Sequence, residues 1–238
     1  MKKLVLFAIG IIISSFLKAQ VLISILFGDK LNTDAIIFGL HVDYSFNKLT
    51  SIEPQDQLGK LNLALFFDFR LADQWRLNAE ALAKYTRGGK GITPYPLNDP
   101  QLDAQFADGK VERKINYVGL MSTLQYTVQH SWYVEAGPQL TIRTQAKDVF
   151  TSKKEEGELK LTRDIRDNVA RWDFSLVSGA GYKFGKGTGV AVGLRYNWGL
   201  SDVLKNTSGY EQNRGFYLLT NIPIGRNKKE KAAKSAAD

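Results

Sequence analysis

The residues best suited to catalysis lie close together near the start of the chain, where His41, Asp43 and Ser45 alternate along one segment. A nucleophilic hydrolase needs a serine, a histidine and an orienting acid within hydrogen-bond reach of one another. In an extended strand these three side chains share a face, so hydrolysis of a lipid or a peptide is one hypothesis. Asp43 occupies the position that a His-x-Ser deacylase motif gives to serine. We therefore predict no catalytic residue and place His41 in a polar interior network.

A second candidate is the glycine-rich segment 179–189, which contains Gly185-Lys186. A phosphate-binding loop needs glycine, four residues and then Gly-Lys-Ser/Thr, whereas here Gly187 follows the lysine. Close strand packing followed by a hairpin turn explains the glycines better. The chain has no cysteine and only two histidines, which argues against thiolate-bound zinc, iron–sulfur clusters and histidine-rich metal sites. We predict no metal and no cofactor.

The elements that carry these residues are strands, because period-two alternation dominates residues 34–224. Each run is near the ~9–11 residues of a strand that crosses a membrane at a tilt. The runs predict eight strands, over residues 35–47, 60–71, 75–87, 113–128, 131–144, 170–184, 188–199 and 215–224.

The connections between these strands alternate in length. Segments 72–74, 129–130 and 185–187 are short turns, and segments 48–59, 88–112, 145–169 and 200–214 are long. A closed antiparallel barrel with short turns on one rim and long loops on the other produces this alternation. The sequence therefore predicts an all-β fold, an eight-stranded up-and-down transmembrane barrel with short periplasmic turns and long extracellular loops.

The two faces of each predicted strand differ, one being apolar and the other carrying charges of both signs. Unpaired buried charge is costly, so nearly balanced charges predict an ion-paired lumen. The predicted lumen network comprises Asp43, Asp68, Arg70, Arg76, Glu80, Lys84, Glu135, Arg143, Asp173, Lys183 and Arg195.

Aromatic residues on the apolar face fall at the strand ends, as in the girdles of membrane barrels. The predicted interface girdle comprises Trp75, Tyr85, Trp132, Trp172, Tyr182 and Trp198. Pairs ten residues apart on one strand stand about 25 Å apart across a tilted barrel wall. This spacing favours a membrane barrel over a soluble periplasmic ligand-binding barrel, which would place its apolar face inside.

Both ends of the chain differ from the barrel. Residues 1–19 have a basic start, an apolar stretch and a small residue before the expected cleavage site, which predicts a secretory signal peptide. The barrel is then 20–224, and 225–238 is a basic periplasmic tail. Of the net charge of +8, the signal and the tail carry +3 each, so the barrel is nearly neutral. This distribution argues against a nucleic-acid partner.

Three segments resemble a known family: YVEAGP at 133–138, GAGYKF at 179–184 and LRYNWGLSD at 194–202. In this order they are similar to the PorT-like outer-membrane β-barrel family, and the resemblance covers nearly the whole mature chain. It implies an eight-stranded barrel in a Gram-negative outer membrane. The family's name-giving member is an accessory of type IX protein secretion. The resemblance implies no catalytic or ligand-binding residue.

The leading functional hypothesis is a small non-enzymatic outer-membrane protein, exported through its signal, that serves as a structural, assembly or secretion-associated component. Its partners would be outer-membrane lipid and other envelope or secretion proteins, with surface binding through the 88–112 and 145–169 loops. A barrel enzyme that hydrolyses lipids or peptides and a soluble ligand-binding barrel are the alternatives.

Overall fold

The computed structural model describes residues 33, 35–52, 56–129, 131–154, 157–187, 189–205 and 209–224. The predicted signal peptide and the basic tail lie outside the described residues. The strands are β1 (Ile36–Leu49), β2 (Leu58–Arg70), β3 (Trp75–Ile92), β4 (Lys110–Gln129), β5 (Trp132–Lys154), β6 (Gly157–Asp164), β7 (Trp172–Lys183), β8 (Ala191–Gly199) and β9 (Asn213–Pro223). The helices are α1 (Pro100–Phe106) and α2 (Phe184–Gly187), with a 3₁₀ turn at Arg166–Asn168.

Eight of the nine strands in the described part of the chain form a closed antiparallel ring. The order is β1-β2-β3-β4-β5-β7-β8-β9, with β9 pairing back onto β1. The strand β6 is outside the ring, and among the described strands it pairs with the far part of β5 alone. The prediction of an eight-stranded antiparallel barrel is thus confirmed, and so is the alternation of short and long connections.

The sequence predicts that segment 145–169 is a loop, but much of it forms a pair of antiparallel strands. There β5 continues to Lys154, and β6 returns along it from Gly157 to Asp164. In this extension Ala146, Asp148 and Phe150 are buried, while the alternate positions are less so. The many charges of the segment conceal this alternation in the sequence, because a strand that projects beyond the barrel needs only one buried face.

The 88–112 segment is also more ordered than a loop. Here β3 runs on to Ile92, and β4 begins at Lys110. Between them α1 begins after Asp99, whose side chain accepts hydrogen bonds from the backbone N–H groups of Gln101 and Leu102. This is an N-cap, and Pro100 fits the first helical position because it has no N–H to satisfy.

The outer wall of the ring is apolar, whereas its interior is polar. Large exposed hydrophobic side chains recur along the strands, among them Leu120, Leu140, Phe174, Leu194 and Leu218. Buried polar residues include His41, Asp43, Glu80, Arg87 and Arg195. A soluble barrel has the opposite arrangement, and an apolar exterior around a polar lumen is that of a barrel that spans a membrane.

A β-bulge in β3 reverses the alternation near the end of the spanning part. Leu82 pairs with Gly119 and Tyr85 with Tyr117, so two residues of β3 face a single residue of β4. The extra residue turns Lys84 outward and Tyr85 inward. The predictions of Lys84 in the lumen and of Tyr85 in the girdle are therefore wrong, because both assumed unbroken alternation.

No helix in the described part of the chain is both long and apolar enough to cross a membrane.

Candidate functional site

The lumen contains a chain of ion pairs, and its first cluster lies near the short-turn rim. Asp68 of β2 accepts hydrogen bonds from Lys183 Nζ at 2.8 Å and from Arg76 Nε at 2.7 Å. Lys183 also donates to Gln125 Oε1, and its Nζ lies 5.1 Å from the centroid of the Tyr133 ring. One carboxylate thus joins two cations from different strands, which satisfies all three charged groups.

Arg195 of β8 is the centre of the second cluster. Its Nη2 is 2.7 Å from Glu80 Oε1, and its Nε donates to Glu135 Oε1. Glu135 is also hydrogen-bonded by Thr123 and Gln125 of the neighbouring strand β4. Arg195, Glu80 and Glu135 are almost completely buried, so the guanidinium is a bridge that closes the interior across three strands.

A third cluster surrounds His41. Its Nε2 is 3.1 Å from Asp43 Oδ2, and its Nδ1 is 2.6 Å from Asn221 Oδ1. Tyr85, turned inward by the bulge, donates its hydroxyl to Asp43 Oδ2, and Asn62 donates to the other carboxylate oxygen at 2.7 Å. His41 is therefore held on both ring nitrogens by acceptors of the lumen wall.

The fourth cluster lies toward the long-loop rim. Arg87 Nη1 is 2.7 Å from Asp173 Oδ2, and Asn213 donates to the same oxygen at 2.9 Å. Ser201 donates to the other oxygen, Oδ1, at 2.9 Å. The Arg87 guanidinium also lies 5.6 Å from the centroid of the Tyr117 ring. The Arg87–Asp173 pair connects β3 and β7, which are not neighbours in the ring.

The structure brings together most of the predicted lumen residues. Those that line the lumen in these clusters are Asp43, Asp68, Arg76, Glu80, Glu135, Asp173, Lys183 and Arg195. Arg70 is outside the network, because it lies exposed at the rim and pairs with Asp73 of the adjacent turn. Arg143 is half-buried, and its Nε donates to the Ala170 carbonyl. The sequence reasoning missed Arg87, which strict alternation assigns to the outer face.

Five of the six predicted girdle residues lie on the outer wall. Trp75 and Trp132 are exposed at the short-turn rim, where Tyr182 packs against Trp132 with ring centroids 5.2 Å apart. Trp172 and Trp198 are exposed at the long-loop rim. Because Trp172 and Tyr182 are ten residues apart on β7, the two girdles stand about 25 Å apart.

An ordered structure extends beyond the aromatic girdle of the long-loop rim, which contains Trp172 and Trp198. We call this structure the platform. It consists of α1, β6 and the ends of β3, β4 and β5 beyond the level of Trp172. β5 continues twelve residues from Ile142, the partner of Trp172, to Lys154, which is roughly 30 Å of height at the tilt of such barrels. Its small core comprises Ile92, Phe106, Val111 and Phe150.

A buried ion pair within the platform joins the ends of β4 and β5. Arg113 donates to both carboxylate oxygens of Asp148, at 2.9 and 2.6 Å, and the Tyr95 hydroxyl donates to Oδ2 at 2.8 Å. Partial burial, together with the Asp148 carboxylate, raises the pKa of Tyr95 to about 12. The segment before α1 is thereby attached to β5 by its tyrosine.

The interior offers no hydrolytic triad in the described part of the chain. The Ser45 hydroxyl donates to the Lys60 carbonyl and accepts from Asn47 and Asn62, and it makes no hydrogen bond to His41. His41, Asp43 and Ser45 share a face as predicted, but the hydroxyl is engaged elsewhere. Among the described residues there is also no group of three or more histidine and acidic side chains arranged to hold a metal ion.

A closed antiparallel ring with an apolar exterior and an ion-paired lumen defines the class of the transmembrane β-barrels. The sequence model of the family named outer membrane protein beta-barrel domain matches residues 38–205, and the chain belongs to that family. The family and the fold indicate an outer-membrane location.

Several solved structures are similar to this chain. Ail, the attachment invasion locus protein of Yersinia pestis, has 10% identity and a TM-score of 0.42, with 80% of this chain and 99% of that chain covered. Neisserial surface protein A has 12% identity and a TM-score of 0.38, with 79% and 96% covered. OprG from Pseudomonas aeruginosa has 13% identity and a TM-score of 0.32, with 79% and 91% covered. No curated protein matches the chain.

Proposed function

We propose that this protein is a non-enzymatic outer-membrane barrel that acts as a scaffold, with its platform binding a partner outside the membrane. The observation that carries the proposal is the combination of a closed lumen with an ordered platform. Arg195, Glu80 and His41 fill the middle of the barrel and are almost completely buried. The interior of an eight-stranded barrel is only wide enough for side chains, so it stabilises the fold and leaves no room for a solute. Contacts with other molecules are therefore made by the outer surfaces.

The platform is suited to contact another protein because it is rigid and has exposed apolar and charged groups. Its core and the Arg113–Asp148 pair fix its shape, so binding costs little ordering entropy. On β6 the side chains of Leu159 and Lys160 are exposed. The partner is an envelope or secretion protein, in line with the secretion role that the PorT-like resemblance implies.

Crosslinking in intact outer membranes, followed by identification of the attached proteins, tests this proposal. The variant replaces residues 152–159 by Asn-Gly, which joins Thr151 to its cross-strand partner Lys160 through a two-residue turn. We expect a partner with the full platform and its loss with the shortened hairpin. Gel migration of unboiled and boiled samples verifies that the variant barrel is folded. An unchanged set of crosslinks would overturn the role of the platform.

Hydrolysis of lipids or peptides is the competing function, and it makes a distinct prediction. It requires His41 to activate a serine, whereas this histidine is bonded to Asp43 and Asn221. We expect no hydrolysis by the refolded protein. Activity that disappears in His41→Ala would overturn the non-enzymatic assignment.

Export and location form the last part of the proposal. We expect cleavage after residue 19. The measured mass of the mature protein would then equal that of residues 20–238. Residues 225–238 would then form the tail on the periplasmic side. Recovery of the protein in the soluble periplasm would contradict the membrane location and favour the soluble ligand-binding barrel.

A further inference from the structure

A groove of about 510 Å³ lies on the outer wall, where β1, β8 and β9 approach the long-loop rim. Besides Gln57 and Gly215, two kinds of side chain line it, cations and aromatic rings. These are Lys48, Arg214, Phe46, Tyr196, Trp198 and Phe216. The groove is on the face that the lumen network and the platform do not use.

The two cations are direct cross-strand partners. Lys48 of β1 pairs with Arg214 of β9, so their side chains leave the sheet side by side on the same face. Like charges placed directly opposite each other destabilise a sheet. Among the described residues neither cation forms an ion pair with a carboxylate. An anion held between them would remove the repulsion.

Arg214 is fixed by two hydrogen bonds, and its guanidinium keeps further N–H donors that these bonds do not use. Its Nη1 donates to the Gly199 carbonyl at 2.9 Å, and its Nη2 donates to Gln212 Oε1 at 2.6 Å. The guanidinium carbon also lies 5.5 Å from the centroid of the Trp198 ring. A guanidinium has five N–H donors, so the others remain for an anion with several oxygens. Phosphate has that shape and charge.

Below the cations the groove becomes apolar toward the membrane interior. The next row consists of Phe46, Phe216 and Tyr196, which pair across the same three strands, and the Tyr196 and Phe216 ring centroids are 4.6 Å apart. The exposed side chains of Leu218 and Leu194 form the row after that. The groove thus complements a molecule with an anionic head and hydrocarbon chains.

We propose that this groove binds a phosphate-bearing glycolipid of the outer leaflet, with its phosphate between Lys48 and Arg214 and its acyl chains along the aromatic and leucine rows. The long-loop rim is at the outer surface of the membrane, so the head group of an outer-leaflet lipid lies at the height of the cations. The inference rests on the membrane-spanning part of the proposed function and is independent of the platform.

The test measures binding of lipid A by the full-length protein refolded in vesicles of neutral phosphatidylcholine. The probes are lipid A, its dephosphorylated form and phosphatidylglycerol. The site variant is Lys48→Gln with Arg214→Gln. Its matched control is Arg171→Gln with Lys205→Gln, two exposed cations near the same rim that are outside the groove and give the same change in net charge. Lys48→Gln alone is included, because Arg214 also supports the fold.

We expect the site variant to bind lipid A at least about tenfold more weakly, since two charge-assisted contacts are lost, and the control pair to bind it as the native chain does. Lys48→Gln should weaken binding in part. The inference is overturned if dephosphorylated lipid or phosphatidylglycerol binds as well as lipid A, or if both variant pairs lose binding equally. Gel migration of unboiled and boiled samples separates the two proposals, because a folded, inserted barrel without lipid A selectivity disproves only the groove.

Discussion

Arg87 and Asp173 form a fully buried ion pair across the lumen, with Arg87 Nη1 and Asp173 Oδ2 2.7 Å apart. The two residues belong to β3 and β7, which are separated in the ring by β4 and β5. The pair therefore connects opposite parts of the wall. It also depends on the β3 bulge, which turns Arg87 inward.

Removing the arginine of this pair should destabilise the barrel strongly. In Arg87→Met the Asp173 carboxylate stays buried without its cation, which costs about 3–5 kcal/mol of unfolding free energy. Urea unfolding in lipid vesicles, followed by tryptophan fluorescence, measures the loss. Arg70→Met is the control, because its partner Asp73 is exposed, and we expect a change within about 1 kcal/mol. Equal effects of the two substitutions would disprove the buried pair.

The bulge predicts different accessibility at two positions that strict alternation places on one face. The chain contains no cysteine, so single cysteines can be introduced without background. In the folded barrel we expect Lys84→Cys to react with a maleimide and Leu82→Cys to be protected, since Leu82 is buried and Lys84 exposed. Both should react in urea. Equal protection of the two in the folded state would exclude the bulge.

Because the outer wall is apolar, the loss of stability on introducing a charged side chain should depend on whether the position faces lipid or water. Leu194 is 57% exposed on the spanning part of β8, and Leu159 is 40% exposed on the platform strand β6. In vesicles, Leu194→Arg should lower the unfolding free energy by about 2–4 kcal/mol, because the charge enters hydrocarbon. Leu159→Arg should change it little. A small effect at both positions would show that water surrounds the whole barrel.

Tyr95 predicts a pH effect confined to the platform. Its pKa of about 12 lies above the usual tyrosine value of 10, because the phenol is partly buried and donates to the Asp148 carboxylate. A raised folded-state pKa gives stability that is present below pH ~10 and is lost as the pH rises through ~12. The difference in phenolate absorbance between the native chain and Tyr95→Phe should titrate near pH 12. A midpoint near 10 would contradict the contact.

The number of ring strands, the alternation of short and long connections and the two contrasting faces can all be read from the amino-acid sequence alone. These features follow from a local rule, because successive side chains of a strand point to opposite sides. The rule identified His41, Glu80, Glu135 and Arg195 as neighbours of one lumen without stating which of them touch.

The ion pairings in the lumen and the exceptions to strict alternation follow from the three-dimensional fold. The bulge adds one residue and reverses the side chains that follow it, up to the second register shift between Gly89 and Ile92, which is how Lys84, Tyr85 and Arg87 changed sides. The platform strand β6 depends on the register with β5, and the Arg87–Asp173 pair depends on the closure of the ring. Register and closure are relations between distant segments, so no local pattern contains them.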